Sequence, residues 1–495
     1  MSIERSSGIL MPIFSLPSPY GIGTLGRAAY DFADFLRAAG QKYWQVLPLG
    51  PTSYGDSPYQ SFSTYAGNPC FIDLDMLIED GLLTKEEVSG IDWGTEPRYV
   101  DYGKIYENRL TVLEKAKERG WRRDRDEVEA FLAENRNWLP EYALFMACKQ
   151  HFGMRPWTEW EDDDLRLRRS EAVLDRYRSL LHERVELFIY VQYLFFRQWE
   201  KLKSYIHSLG ICVIGDLPIY VALDSADVWA EPENFQLDKN NVPTEVAGVP
   251  PDYFSDDGQL WGNPLYRWDR MERDGFGWWI RRIAGAGRLF DVIRIDHFRG
   301  LESYWAVPYG EKTARRGHWV KGPGMRLMGT LLNWFSDLDF IAEDLGIITP
   351  EVRQFLRDSG LPGMKVLEFA FDSREASSYL PHNYTENCVC YTGTHDNAPL
   401  ELWRSEADPA DLELARKYLG LNKQEGFCRG MIRGGMGSAA RLFVAQMQDY
   451  LELGRGHRIN VPGTAEGNWR WRLLRGEASG ALAEEIACMT EMYGR

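Results

Sequence analysis

Cysteine is scarce in this chain and poorly placed for covalent work. Its 495 residues include seven cysteines: Cys70, Cys148, Cys212, Cys388, Cys390, Cys428 and Cys488. The count is odd and the spacing scattered, with no CxxC pair, so neither a zinc ribbon nor a thioredoxin-like motif is supported. Such usage suits a reducing compartment. No apolar run approaches the roughly 20 residues of a bilayer-spanning helix. The opening Met-Ser-Ile-Glu-Arg-Ser-Ser-Gly has no apolar core followed by small residues, so it does not read as a signal peptide. Positive charge is also short: 57 Lys and Arg against 73 Asp and Glu leave a net −16. An acidic surface repels nucleic-acid phosphate and anionic membrane. The expectation is a soluble, cytoplasmic protein with neither as partner. No G-x-G-x-x-G follows a strand-like run and no G-x-x-x-x-G-K-[ST] occurs, which disfavours a nucleotide-binding sheet. HExxH is absent, as is the G-x-S-x-G elbow, and the cysteines lack a cationic setting, so Ser and Cys nucleophiles have no support. There is no internal repeat and no low-complexity tract.

What remains is ordinary globular material with one bias. Apolar residues make up 44% and charged residues 26%, and the length suffices for one large domain with insertions or for two or three smaller ones. Trp, Tyr and Phe reach 13%. Flat rings with polar edges stack well on the apolar faces of sugars, although rings fill cores as well.

Along the chain, helical spacing alternates with short apolar runs. Ala28 to Ala39 reads as a helix, followed by a strand in 41–50 and a loop rich in Pro, Ser, Tyr and Gly at 51–69. The character of the chain changes over residues 75–183. Charge runs such as Arg122-Arg123-Asp124-Arg125-Asp126-Glu127 alternate there with apolar residues at helical spacing, and predict a mainly helical insertion with solvated faces. A helix over 184–208 stops at Gly210 and leads into the buried strand 211–216. Helix-then-strand recurs at 278–283 into 290–296, at 331–338 into 339–344, and at 351–358 into 364–369. A further strand covers 388–393, and Ala439–Leu451 reads as a helix. Continuous apolar strands alternating with helices predict a parallel sheet buried on both faces. The fold class expected is α/β: one (β/α)8 barrel domain over 1–495, carrying the helical insertion 75–183 and an inserted loop region at 217–275.

Asp216, Asp296, Glu343 and Asp396 all fall at or just past the C-terminal ends of strand-like runs. In such a barrel the active site lies at that end, so the four carboxylates converge on one pocket. Converging carboxylates serve glycosidic-bond cleavage: one protonates the leaving oxygen, another acts as nucleophile or as base on water. Arg294 precedes Asp296 by two residues and shares its strand face, where its charge keeps a carboxylate ionised. A lone strand-end Asp is more simply a cap or turn residue; four in register are not. A metal site built on Asp296, His297, His395 and Asp396 is the chemical rival. Against it, adjacent strand residues such as Asp296 and His297 point to opposite faces, and the usual ligand spacings are missing.

The runs Arg294-Ile295-Asp296-His297-Phe298-Arg299-Gly300, Ala342-Glu343-Asp344-Leu345-Gly346 and Thr392-Gly393-Thr394-His395-Asp396-Asn397 resemble those of the 4-α-glucanotransferases, the amylomaltases or disproportionating enzymes of the α-amylase clan. Ser57-Pro58-Tyr59-Gln60, Gly215 to Tyr220, Gln259 to Pro264, Asn460 to Thr464 and Asn468 to Trp471 support the likeness, which runs from about Gly8 to about Arg472. The resemblance implies Asp296 as nucleophile of a covalent glucosyl–enzyme, Glu343 as acid and then base, and Asp396 as stabiliser of the distorted donor sugar. It implies Arg294 as orienter of Asp296, His395 and Asp216 as binders of donor hydroxyls, and Tyr59 as a ring beneath the sugar. Ser57, Gln259, Trp261 and Asn460 would line the groove, 248–255 would form a lid, and Tyr54 and Tyr102 would make an outlying glucan contact. It further implies retention, no metal or organic cofactor, and maltooligosaccharides, amylose, starch- or glycogen-derived glucans and acceptor glucose as partners. An α-1,4-glucan hydrolase on the same barrel, a non-catalytic glucan-binding protein and a metal-dependent hydrolase are the alternatives.

Overall fold

The computed structural model describes residues 3–251, 255–374, 377–464 and 466–495. Eight short strands form one parallel sheet: β1 (Ser6–Leu10), β2 (Tyr43–Gln45), β3 (Cys212–Leu217), β4 (Val292–Ile295), β5 (Asp339–Ala342), β6 (Gly363–Val366), β7 (Cys388–Tyr391) and β8 (Leu442–Gln446). The hydrogen-bonded order is β6-β7-β8-β1-β2-β3-β4-β5. The seam between β5 and β6 is drawn together by Ala342 N donating to Pro362 O at 2.9 Å and Met364 N donating to the Asp344 carboxylate at 2.6 Å. The sheet therefore rolls into the expected (β/α)8 barrel. Its strands are almost wholly buried, as an apolar run without alternation requires when helices cover the outside.

The helices between strands have local causes. Pro350–Ser359 starts with Pro in its first turn and Thr349 accepting from Val352 N, and ends on Gly360 at φ 69°, the left-handed stop that glycine supplies without strain. Residues 74–180 hold seven α-helices, among them Tyr102–Arg123 and Leu139–His151. These pack on the long helix His182–Ser208, whose buried residues include Phe188, Tyr190 and Trp199. One continuous apolar core runs from the barrel into these helices. A second, antiparallel sheet of four strands stands beside the barrel mouth, built from Glu245–Val249, Gln259–Pro264, Ser303–Pro308 and His318–Lys321.

Several expectations need correction. Ala439–Leu451 is not one helix: Leu442–Gln446 is strand β8, paired in parallel with β1 and β7, and only Met447–Tyr450 is helical. A short apolar run fits either period, and burial between two strands decides for the sheet. The helix expected over 331–338 ends earlier, occupying Met325–Trp334. Between β6 and β7 the described residues form only 3-10 turns, so one helix of the ideal barrel is missing. Finally, Gly21-Ile22-Gly23-Thr24-Leu25-Gly26 does have G-x-G-x-x-G spacing and opens the helix Arg27–Ala38. Its glycines serve packing: a Cβ on Gly23 would lie 1.9 Å from Ile13 O, and one on Gly26 2.1 Å from the Asp73 carboxyl.

Candidate active site

Strand register sets the level of the carboxylates. Asp216 pairs with Arg294 across β3 and β4, and Ile295 pairs with Ala342 across β4 and β5. Asp296 and Glu343 are therefore the first residues past two adjacent strand ends. Their backbones continue the ladder, Asp296 N donating to Leu217 O at 3.0 Å and Glu343 N to Ile295 O at 3.1 Å. Asp396 comes from the loop after β7. There Asn397 Oδ1 accepts from Thr394 N at 2.9 Å to close a tight turn.

A cleft of about 390 Å³ opens over these residues. Its lining brings together Ser57, Tyr59, Gln259, Trp261, Asp296, Glu343, His395, Asp396 and Asn460, and adds His297, weighed from sequence only as a metal ligand, and Arg299, Trp319 and Trp469, which had no role assigned. Arg294 and Asp216 lie under the floor instead. The Arg294 guanidinium is 2.6 Å from both Asp216 oxygens and 3.3 Å from Asp296 Oδ1, with its other terminal nitrogen 4.0 Å from Glu343 Oε2. Tyr59 donates to Asp216 Oδ2 at 2.7 Å, and its ring stacks on His395 at 5.0 Å between centroids, with Trp469 5.6 Å away. Asp216 thus holds Arg294 and Tyr59 in place rather than facing the cleft. Asn460 Nδ2 donates to Asp396 Oδ1 at 2.6 Å, and Arg458 donates to the Asp396 and Asn460 carbonyls at 2.5 and 2.7 Å.

His297 overturns the expectation of opposite faces. Strand β4 stops at Ile295, and His297 adopts φ 49°, ψ 46°, a left-handed conformation unusual for a non-glycine residue. The turn puts Asp296 and His297 on the same cleft and aims His297 N at Glu343 Oε2, 2.5 Å away. Its ring meets Trp261 edge-on at 4.8 Å. Backbone strain of this kind collects at functional sites, but no sequence pattern announces it. Burial lowers the His297 imidazole to about 3 and lowers His395 as well, so both rings are neutral at pH 7. Among the described residues no group of three or more His, Cys, Asp or Glu has an arrangement that could hold a metal ion.

Burial raises Glu343 to about 7, opposed by Arg294 and by the His297 amide. Asp296 is also pushed up, by burial first and then by the charges of Asp216 and Glu343, with Arg294 opposing. Two features distinguish the pair. The Asp296 side chain is 27% exposed and 3.3 Å from Arg294, while that of Glu343 is 12% exposed and 4.0 Å away. The greater exposure of Asp296 and its shorter contact with Arg294 favour its charged form, while burial favours the protonated form of Glu343.

The expected lid begins as structure: Gly248 and Val249 end a strand paired with Gln259–Pro264, and Gly248, Val249 and Pro250 line the cleft. Residues 252–254 of that expectation lie outside the described residues, as does the side chain of Tyr54. Tyr102 is only 6% exposed, and its hydroxyl donates to Trp469 O at 2.8 Å. It presents almost no ring face to solvent, whereas neighbouring Tyr106 is 44% exposed.

A barrel with acidic residues converging at the C-terminal ends of its strands, beneath aromatic walls, defines a carbohydrate-active enzyme. The family profile described as 4-alpha-glucanotransferase matches residues 11–476. The chain is 48% identical to the 4-alpha-glucanotransferase of Thermus thermophilus, covering 100% of both chains. It is 47% identical to that of Clostridium butyricum, covering 98% of this chain and 100% of the relative. Amylomaltase from Streptococcus agalactiae, solved in complex with acarbose, superposes with a TM-score of 0.97 at 42% identity, covering 99% of this chain and 100% of that one. The chain belongs to the 4-alpha-glucanotransferase family.

Proposed function

We propose that this 4-alpha-glucanotransferase works by a retaining double displacement carried by Asp296 and Glu343, with Asp396 as the third carboxylate. The Asp296 carboxylate attacks the anomeric carbon of a donor α-1,4-glucan. The bond to the leaving sugar breaks as Glu343 gives that oxygen its proton. The acceptor's 4-hydroxyl then attacks the anomeric carbon, passing its proton to Glu343 and freeing Asp296. The observation that carries this reading is the geometry of the pair: Glu343, 12% exposed and 4.0 Å from Arg294, beside Asp296, 27% exposed and 3.3 Å from it. Tyr59 and His395 form the ring stack at the donor end, and Asn460 fixes the Asp396 carboxylate. Arg294 orients Asp296 while Asp216 supports Arg294 and Tyr59 from below. Ser57, Gln259 and Trp261 line the groove.

The proposed donors are maltooligosaccharides, amylose and starch- or glycogen-derived glucans, with glucose as an acceptor and no organic or metal cofactor. The proposed location is the cytoplasm; no helix among the described residues is long and apolar enough to cross a membrane. The division of labour is one catalytic barrel over 1–495, with 75–183 as an inserted helical subdomain and 217–275 as an inserted loop region, of which Gly248, Val249 and Pro250 line the cleft. Tyr54 and Tyr102 are proposed for an outlying glucan contact, with Tyr106, 44% exposed, beside Tyr102.

Incubation of the purified protein with maltotriose, following products and total reducing ends together, tests the reading. Glucose plus longer maltooligosaccharides at constant reducing ends is the expected result. Rising reducing ends with glucose and maltose would mean that water takes the intermediate, and would overturn transfer.

A further inference from the structure

Trp319 is an exposed indole in an unusual setting. It lies on the strand His318–Lys321 of the second sheet, is 42% exposed and lines the catalytic cleft. An isolated exposed aromatic is ordinary; this one is held on several sides. Trp305 stands directly opposite it across the antiparallel ladder, and the two rings meet edge-on at 5.2 Å. Trp305 is itself fixed by its Nε1 donating to Ala314 O at 2.8 Å. The Arg299 guanidinium lies 4.0 Å over the Trp319 ring. Arg299 in turn donates to Ile347 O at 2.6 Å and to Ser303 Oγ at 2.9 Å. One face of the indole is therefore covered by a cation held by two hydrogen bonds of its own, and 42% of the residue stays exposed at the cleft.

The same contacts say which part of the cleft this is. Arg299 ties Trp319 to Ile347, four residues after Glu343, and Leu345, Gly346 and Ile347 line the cleft beside them. The acid stands on the leaving-group side of the scissile bond. In the transfer reading, the stack of Tyr59, His395 and Trp469 takes the donor sugar. We propose that Trp319, backed by Arg299, is a stacking platform for a glucose unit of the acceptor or leaving chain beyond Glu343, and so sets how strongly the enzyme prefers chains to free glucose as acceptors. The proposal rests on the transfer reading above. A ring held rigidly beforehand loses little freedom on binding, and a flat π face meets the apolar face of a pyranose.

The test uses the full-length enzyme with amylose as donor and glucose, maltose or maltotriose as acceptor. Trp319→Ala should raise KM for maltotriose roughly 3- to 10-fold, the range of one aromatic contact. kcat/KM for glucose, which in a double displacement does not depend on the step that releases the donor's leaving chain, should stay within about twofold of wild type. Trp319→Phe, which keeps a ring, should recover most of the loss. Equal effects on glucose and maltotriose, or no effect on either, would overturn the platform. A wild-type enzyme that only hydrolyses would instead strike down the transfer reading, so the two failures are distinguishable.

Discussion

In the double displacement proposed above, Glu343 is an acid in one half-reaction and a base in the next, and a pKa of about 7 serves both near neutrality. The pH dependence follows by sign. The free enzyme needs Glu343 protonated, so kcat/KM should fall as pH rises through about 7, and the variant Glu343→Gln should lose that alkaline limb along with roughly 10²–10⁴-fold of activity, the usual worth of a general acid. Stability runs the same way. A carboxyl whose folded pKa lies above its unfolded value binds more protons in the folded state between the two, so stability falls as pH rises across 4.5 to about 7. Glu343→Gln removes that burden, so its unfolding free energy should exceed wild type by about 1–3 kcal/mol at pH 8, seen as a higher melting temperature, and should not exceed it at pH 4. A melting temperature equal to wild type at both would contradict the burial argument. Asp296→Asn should fold normally and not disproportionate maltotriose; turnover at the wild-type rate would remove it as nucleophile. These carboxylates were legible in the sequence because each follows a recognisable strand end within a family motif. Trp319 and the turn at His297 were not, because each depends on chain brought from elsewhere: Arg299 and Trp305 for one, Glu343 for the other.

Strand β3 shows what the barrel requires of an element that carries a site residue. Gly215 immediately precedes Asp216, and a Cβ there would fall 2.0 Å from the Phe290 ring. The ring, at the end of the helix Gly277–Leu289, occupies the space that any side chain would need. Gly215→Ala should therefore destabilise the enzyme by about 1–3 kcal/mol, the usual range for overpacking a close-packed interior. Thermal unfolding measures this, and a variant as stable as wild type would show that Phe290 moves aside freely. The elements read most clearly from sequence were those with helix, glycine and apolar strand in succession, β3 being the clearest of them. β1 and β8 were missed for opposite reasons. Ser6-Ser7-Gly8 gives β1 little apolar signal, though all five residues of the strand are buried, while Leu442–Gln446 is apolar enough but embedded in a run that also has helical spacing. Only pairing with β1 and β7 distinguishes it from a helix, and pairing is a property of the closed sheet, not of the segment.

At the scale of the molecule, charge and substrate are decoupled. The net charge of −16 creates a field that would govern the binding of any ionic ligand and make it depend steeply on salt. A glucan carries no charge. The charges that matter to the reaction, Arg294, Asp216, Asp296 and Glu343, sit within a few ångströms of one another and well inside the ~10 Å over which 0.1 M salt screens. Bulk ions therefore have little purchase on either binding or chemistry. The expected outcome is that KM and kcat for maltotriose change by less than about twofold between roughly 50 mM and 500 mM NaCl, since screening acts on exposed, separated charges and hardly on buried pairs. A steep salt dependence of KM would mean that the substrate bound in the assay is anionic, or that the cleft is gated by surface ion pairs, and in either case the assignment of a neutral glucan to this acidic barrel would have to be given up.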